Sequence, residues 1–359
     1  MRYLCLLLLS VGLAACGEPL LVIGDLPGFM RIVAGVPQSG FGSIDTVGVM
    51  MRLDRPIGVA VNDSGTVFIG DQSIKLVRVE PNGRARVLHR STPCFTQPRN
   101  CLMRPHQMVM IGGDLLIADN QSERIWRMNA TSGALSTFAG TGTGGFTPDG
   151  TPASQASLTG PAGLAVGDDG RVFISESGSN RIRVVGADGI LRTFAGTGSA
   201  GRAGDGGPAT SAQLYAPGWI TIANNTLYIA DSGNHLIRTV DLVAGTIQTL
   251  AGTGVAGFSG DNGPALEANL FIPWAMAVAP DGETLFFSEL GNHRVRAVGL
   301  ATGRISTFAG TGATAFNGNG RAAAETALNQ PTGLVASPEG FLYIADTGHG
   351  LVWRTPVRF

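Results

Sequence analysis

The sequence is poor in charge. Only 14% of its 359 residues are Asp, Glu, Lys or Arg, and the 25 basic residues nearly balance the 26 acidic ones, for a net charge of −1. No basic field is present to gather nucleic acid or anionic lipid, and no acidic field stands in its place. Long hydrophobic runs are also missing: the apolar stretch from Tyr3 to Leu13 is too short to span a bilayer. There is no collagen period and no low-complexity tract. Cysteine is scarce, at four, and histidine stands at five. No nucleophile–base pair can be read from spacing. What is abundant is glycine. Its 53 copies are about twice the usual share of roughly 7%, which fits many tight turns between short strands. A hydrophobic content of 44% is enough for a sizeable core.

The first residues read as a targeting segment. Arg2 is followed by the apolar run, and then by Leu13-Ala14-Ala15-Cys16. That tetrapeptide resembles the bacterial lipobox, in which the cysteine is acylated after cleavage. The expectation is a signal peptide over 1–15, a lipidated Cys16 with a short tether over 16–30, and a globular part over 31–359. Residue 17 is Gly rather than Asp. In the enteric sorting pattern this favours the outer membrane, so the expected location is the cell envelope, lipid-anchored. Cys5 leaves with the signal. Cys94 and Cys101 remain in an oxidising compartment and are expected to form a disulfide-closed loop. A metal site on the same pair would need more ligands, and only His89 and His106 are local.

One tetrapeptide recurs: FIGD 68–71, LIAD 116–119, FISE 173–176, YIAD 228–231, FFSE 286–289 and YIAD 343–346. Each copy ends in an acid. A second marker, FAGTG, stands at 138–142, 194–198 and 308–312, with LAGTG at 250–254. Periods of this length with several short strands per unit predict a propeller rather than a helical solenoid. Each unit reads as four strands, except the sixth, which has three before the chain stops. RIVAG at 31–35 matches RTFAG at 192–196 and lacks its first three strands. The predicted fold is therefore all-β, a six-bladed β-propeller of four-stranded blades closed by the N-terminal strand completing the last blade. From the marker Gly to the Pro opening the next blade is 21 residues in five cases, Gly35–Pro56 through Gly310–Pro331. Such constancy implies ordered loops, with Leu53, Leu158, Leu214, Leu270 and Leu328 as plugs. The blade-one to blade-two connection, Arg90 to Pro105, is shorter and holds Cys94 and Cys101; a disulfide there would replace the loop's own packing.

At this point a family resemblance is plain. DSGNHLIR at 231–238 contains Asn234-His235-Leu236, and ELGNHRVR at 289–296 is close to it. GTGVAGFSGDNGPALEANLFIP at 252–273 resembles a segment common in bacterial NHL-repeat propellers. The resemblance covers residues 31–359 and implies the propeller. It leaves function open, because such propellers serve in adhesion, sensing and scaffolding and also as lyases or hydrolases.

Within a blade the strands alternate direction. The long loops between blades therefore share a face with the turns between second and third strands, and that face is read as functional. Candidate binding residues are His106, Trp274 and Thr332, which follow a blade-opening Pro at the channel mouth. The loop acids Asp149, Asp205 and Asp261 and the turn histidines His235 and His293 complete the set. The loop acids read as turn formers, with Ca²⁺ as the alternative. His235, His293 and His349 sit too far from the axis to share a Zn²⁺. The six strand-end acids read as turn caps. Arg183, Arg238 and Arg296 read as carboxylate partners between blades. No catalytic set and no cofactor is assigned. The expected function is a monomeric envelope lipoprotein binding a protein or glycan through its long-loop face. The alternative is a metal-dependent lyase or lactone hydrolase at the channel mouth.

Overall fold

The computed structural model describes residues 29–35, 46–47, 51–73, 75–90 and 101–357. Cys16, the tether up to residue 28 and Cys94 lie outside the described residues. Cys101 is disulfide-bonded. No helix among the described residues is long and apolar enough to cross a membrane.

The described residues form six antiparallel sheets with strands a to d from the inside outward, in sequence order in the first five. Blade one holds Pro56–Val61, Val67–Asp71, Lys75–Val79 and Arg84–Arg90. Blade two holds Pro105–Ile111, Asp114–Asp119, Arg124–Asn129 and Leu135–Ala139. Blades three, four and five open at Pro161–Val166, Ile220–Ala223 and Pro273–Val278 and run to Ala195, Ala251 and Ala309. Blade six holds Pro331–Ala336, Phe341–Asp346 and Leu351–Pro356. Its fourth strand is Arg31–Ala34, with Arg31 facing Arg354 and Ile32 facing Trp353. The register slip between Ile32 and Ala34 recurs at the same place in other d strands, such as Thr137/Ala139 of blade two. The N-terminal strand is thus a true fourth strand, and it covers the edge that Leu351–Pro356 would otherwise expose. Each a strand contacts the a strands of both neighbours, so the inner strands close a ring of six.

The core lies between the blades. Six clusters of buried apolar side chains fill six joints. The joint between blades two and three is typical. Leu116, Ala118 and Ile125 come from one blade, Leu164, Val172 and Ile174 from the next, and Ala153, Ala156 and Leu158 from the loop between them. The five plug leucines are all fully buried. Leu102, three residues before Pro105, is equally buried, so the shortened connection keeps its plug as well.

The fixed loop length has a backbone cause. After strand d, Gly140 and Thr141 donate N–H to the carbonyls of Ala153 and Ala156, around a single 3-10 turn at Ala153–Gln155. Gly196, Gly252 and Gly310 repeat the pattern with Ala209, Ala265 and Ala323. Gly252 has φ +100°, and a Cβ there would lie 2.5 Å from the His235 carbonyl oxygen. Only glycine meets both conditions.

Candidate functional site

The repeated elements are explained first by structure. All six strand-end acids are fully buried. Each accepts an N–H from the residue two before its own blade-opening position: Asp54, Met103, Thr159, Tyr215, Phe271 and Asn329. The acid therefore fastens the incoming segment to strand b. Several also cap their own turn, as Asp71 does with Ser73 and Asp119 with Gln121 and Ser122. Burial raises the carboxyls of Glu176 and Glu289, and pushes Asp231 up to about 6, against nearby Arg and hydrogen-bond donors.

Arg183, Arg238 and Arg296 are fully buried on strand c. Each lies between the strand-end acid of its blade (Glu176 at 3.5 Å, Asp231 at 3.5 Å, Glu289 at 3.2 Å) and a loop acid. The loop acids are Asp149 at 3.2 Å, Asp205 at 2.5 Å and Asp261 at 2.7 Å. Asp149, Asp205 and Asp261 also accept from Thr193, Thr249 and Thr307 on strand d. The structure accounts for them as loop fasteners to Arg and Thr rather than as turn formers or a cation cage. Blade six has Trp353 in the Arg position, its indole N–H donating to Asp346 at 2.9 Å. No second carboxylate is needed there, and Asn319 occupies the loop position. Its side-chain oxygen accepts the N–H of Ile32 on the closing strand.

His235 and His293 lie in left-handed turns (φ 57° and 54°). Their Nδ1 atoms accept the N–H of Ile272 at 3.2 Å and Gln330 at 3.1 Å in the following blade. Asn180 and Glu123 do the same for Ala216 and Gly160. His349 instead joins Asp346 and the Thr314 carbonyl. His235 and His293 are blade-to-blade ties, and His349 ties its own turn to the incoming loop. No group of three His, Cys, Asp or Glu suited to a metal ion occurs among the described residues.

His106, Trp274 and Thr332 do come together. They line one cavity of about 280 Å³, with Ile57, Arg55, Arg104, Gln72, Asn120, Gln330, Leu290 and Thr347. These residues come from three positions of the repeat: the one before the blade-opening Pro, the one after it, and the one after the strand-end acid. The cavity therefore opens on the long-loop face. Among the described residues, only blades one, two, five and six contribute. Blades three and four carry Gly160, Ala162, Ser177, Ala216, Gly218 and Ser232 at the same positions. Thr332 is committed to the seam with blade one, its hydroxyl meeting the Ile57 carbonyl and the Thr347 hydroxyl. Trp274 is half-buried and meets the His106 ring edge-on, with centroids 5.8 Å apart.

His106 is 4% exposed, and both ring nitrogens are buried without a hydrogen-bond partner among the described residues. Burial, with the Arg104 charge adding to it, lowers its pKa to about 3. It is neutral at physiological pH and offers one N–H donor and one acceptor. The sequence reading overlooked the next position of strand a. There Gln107 is buried and spans blades: its amide donates to the Ile220 carbonyl at 2.8 Å and accepts from Leu164 and Ile220 N–H. Trp219, also fully buried, reaches toward Gly333. These two side chains occupy the middle of the ring. The signal was available: Gly58, Gly163 and Gly333 hold the equivalent positions, and two large residues among them mark where the space is used.

A family model for the Teneurin NHL domain matches residues 46–200, and one for the NHL repeat matches 328–354. Protein SUPPRESSOR OF QUENCHING 1 of Arabidopsis thaliana is 30% identical over 66% of this chain and 23% of its own length. NHL repeat-containing protein 2 of Bos taurus is 30% identical over 49% of this chain and 27% of its own. This chain thus spans about a quarter of the length of these curated relatives. Among solved structures, an auxiliary nutrient binding protein from Bacteroides thetaiotaomicron superposes with a TM-score of 0.66 at 12% identity, covering 91% of this chain and 75% of that one. A streptogramin B lyase superposes with a TM-score of 0.51 at 15% identity, covering 88% and 99%. At these identities the structural likeness speaks for the fold alone. Together with the six closed blades, the matches identify the chain as an NHL-repeat β-propeller.

Proposed function

We propose that this propeller is a binding scaffold of the bacterial envelope, tethered through acylated Cys16, that holds a protein or glycan at the mouth on its long-loop face. The observation that carries the reading is the cavity around His106 and Trp274. It sits where loops converge over a rigid frame, the usual place for ligand sites. It is built from positions the repeat leaves free to differ, whereas the conspicuous repeated acids, arginines and turn histidines are occupied in holding blades together. Nutrient-binding proteins of the same fold support a binding role. In this reading the Cys94–Cys101 disulfide stiffens the connection that leads into Arg104 and His106.

The test is a screen of the acyl-free chain against envelope glycans and envelope protein fractions, repeated with Trp274→Ala and with Ser199→Ala on a loop of blade three. Binding that falls at least about tenfold for the mouth variant alone is expected, the effect of losing one well-packed anchor. Binding indifferent to Trp274 would move the site elsewhere and defeat the proposal. Mass spectrometry of the membrane-associated chain, with Cys16→Ser as control, checks the acyl group.

A further inference from the structure

The mouth has a charge of one sign. Arg55 and Arg104 are exposed at its rim, and no ion pair among the described residues engages either guanidinium. Among the described residues, no Asp or Glu lines the cavity. The strand-end acids that adjoin it, Asp71, Asp119, Glu289 and Asp346, are buried and accept from backbone N–H groups. In a chain with a net charge of −1, two arginines on one cavity with no ion-pair partner among the described residues stand out.

The remaining lining is polar without being ionic. Gln72, Asn120 and Gln330 present carboxamides with no hydrogen-bond partner for their side chains among the described residues. A carboxamide both donates and accepts, as does a neutral imidazole, and a hydroxyl group on a ligand satisfies both functions at once. Trp274 and Leu290 add an apolar wall. The His106 nitrogens are the decisive observation. A buried polar atom left unpaired costs about 1–3 kcal/mol, so an occupant that pairs it gains in affinity.

We infer that the channel mouth binds a single acidic sugar, with Arg55 and Arg104 on its carboxylate and His106, Gln72, Asn120 and Gln330 on its hydroxyls. The inference rests on the binding role proposed above and narrows it to one ligand class. Guanidinium groups match a carboxylate in geometry and charge. A space of about 280 Å³ suits one small ring and not an extended chain. An acidic peptide would use the arginines, and its backbone amides also donate and accept, but a space of this size admits no more than a short stretch of it.

The test is isothermal titration of the full chain in detergent with the methyl glycoside of glucuronic acid, the uncharged methyl glucoside, and a short Asp/Glu peptide. The acid is expected to bind at least about tenfold more tightly than its neutral counterpart, as the loss of a charge-assisted hydrogen bond predicts. Its affinity should fall as salt rises. Arg104→Met should weaken the acid far more than the neutral sugar, and the His106 ¹⁵N resonances should shift with sugar but not with peptide. Equal binding of both sugars, with the His106 shift, would overturn the acidic-ligand inference while the binding role stood. Binding of the peptide alone would overturn the sugar. Absence of all three at the mouth, with an envelope ligand captured at a Trp274-independent surface, would overturn both readings.

Discussion

The buried arginines show how a weakly charged sequence uses its few charges. Arg183, Arg238 and Arg296 each bridge two carboxylates with no solvent access of their own. Such groups cost desolvation and are retained where they fix geometry, here the loop against strands c and d. The burden falls on the strand-end acid. Asp231 binds its proton more tightly in the folded chain, at about 6, than at its ordinary value of 3.8. Stability from this group is fully present below 3.8 and is lost as pH rises through about 6. Glu176 and Glu289 shift the same way. Urea unfolding should therefore lose on the order of 3 kcal/mol through Asp231 between about pH 4 and 6. Asp231→Asn should remove that part of the slope; an unchanged slope would show that the titration lies elsewhere. The recurrence of these acids was plain in the sequence. Their partners were not, because an N–H two residues before a proline carries no mark in sequence.

At the scale of elements, the loops between blades act as structural members. Their 3-10 turns, their plug leucines and the marker glycines recur because a backbone ladder ties each loop to the strand before it. Leu214 is fully buried in the joint between blades three and four. Leu214→Ala should cost about 2–5 kcal/mol by urea titration, comparable to truncating a strand residue of the same joint. A cost below 1 kcal/mol, the range of surface changes, would mean the loop does not belong to the core. The fixed spacing made this ordering legible beforehand. The different uses of the loop acids and turn histidines were not legible, since a motif gives the position of a side chain along the chain and not its neighbour across a joint.

For the whole molecule, closure is the governing feature. Residues 31–34 supply the last strand, and Phe29 and Met30 already pair with Ala322 and Arg321 before it. Deleting the residues before Val36 should expose the edge of Leu351–Pro356, lower the thermal midpoint and promote self-association, read by calorimetry and light scattering. A monomer with unchanged melting would contradict a structural role for the closing strand. The mouth is a property of the same scale. Its residues come from four blades and three positions of the repeat.

The sequence by itself determined the six blades, their strand order, the closing strand and the ordered loops, because each is written in local periodicity and constant spacing. It also singled out His106, Trp274 and Thr332 as neighbours on one ring of positions. Only the tertiary structure decided which polar residues were occupied. Asp149, Asp205, Asp261, His235 and His293 are taken up by partners 33 to 46 residues away, whereas His106, Arg55 and Arg104 are left facing a cavity. That distinction depends on which side chains meet when six blades close into a ring, and repeats so alike in sequence do not record it.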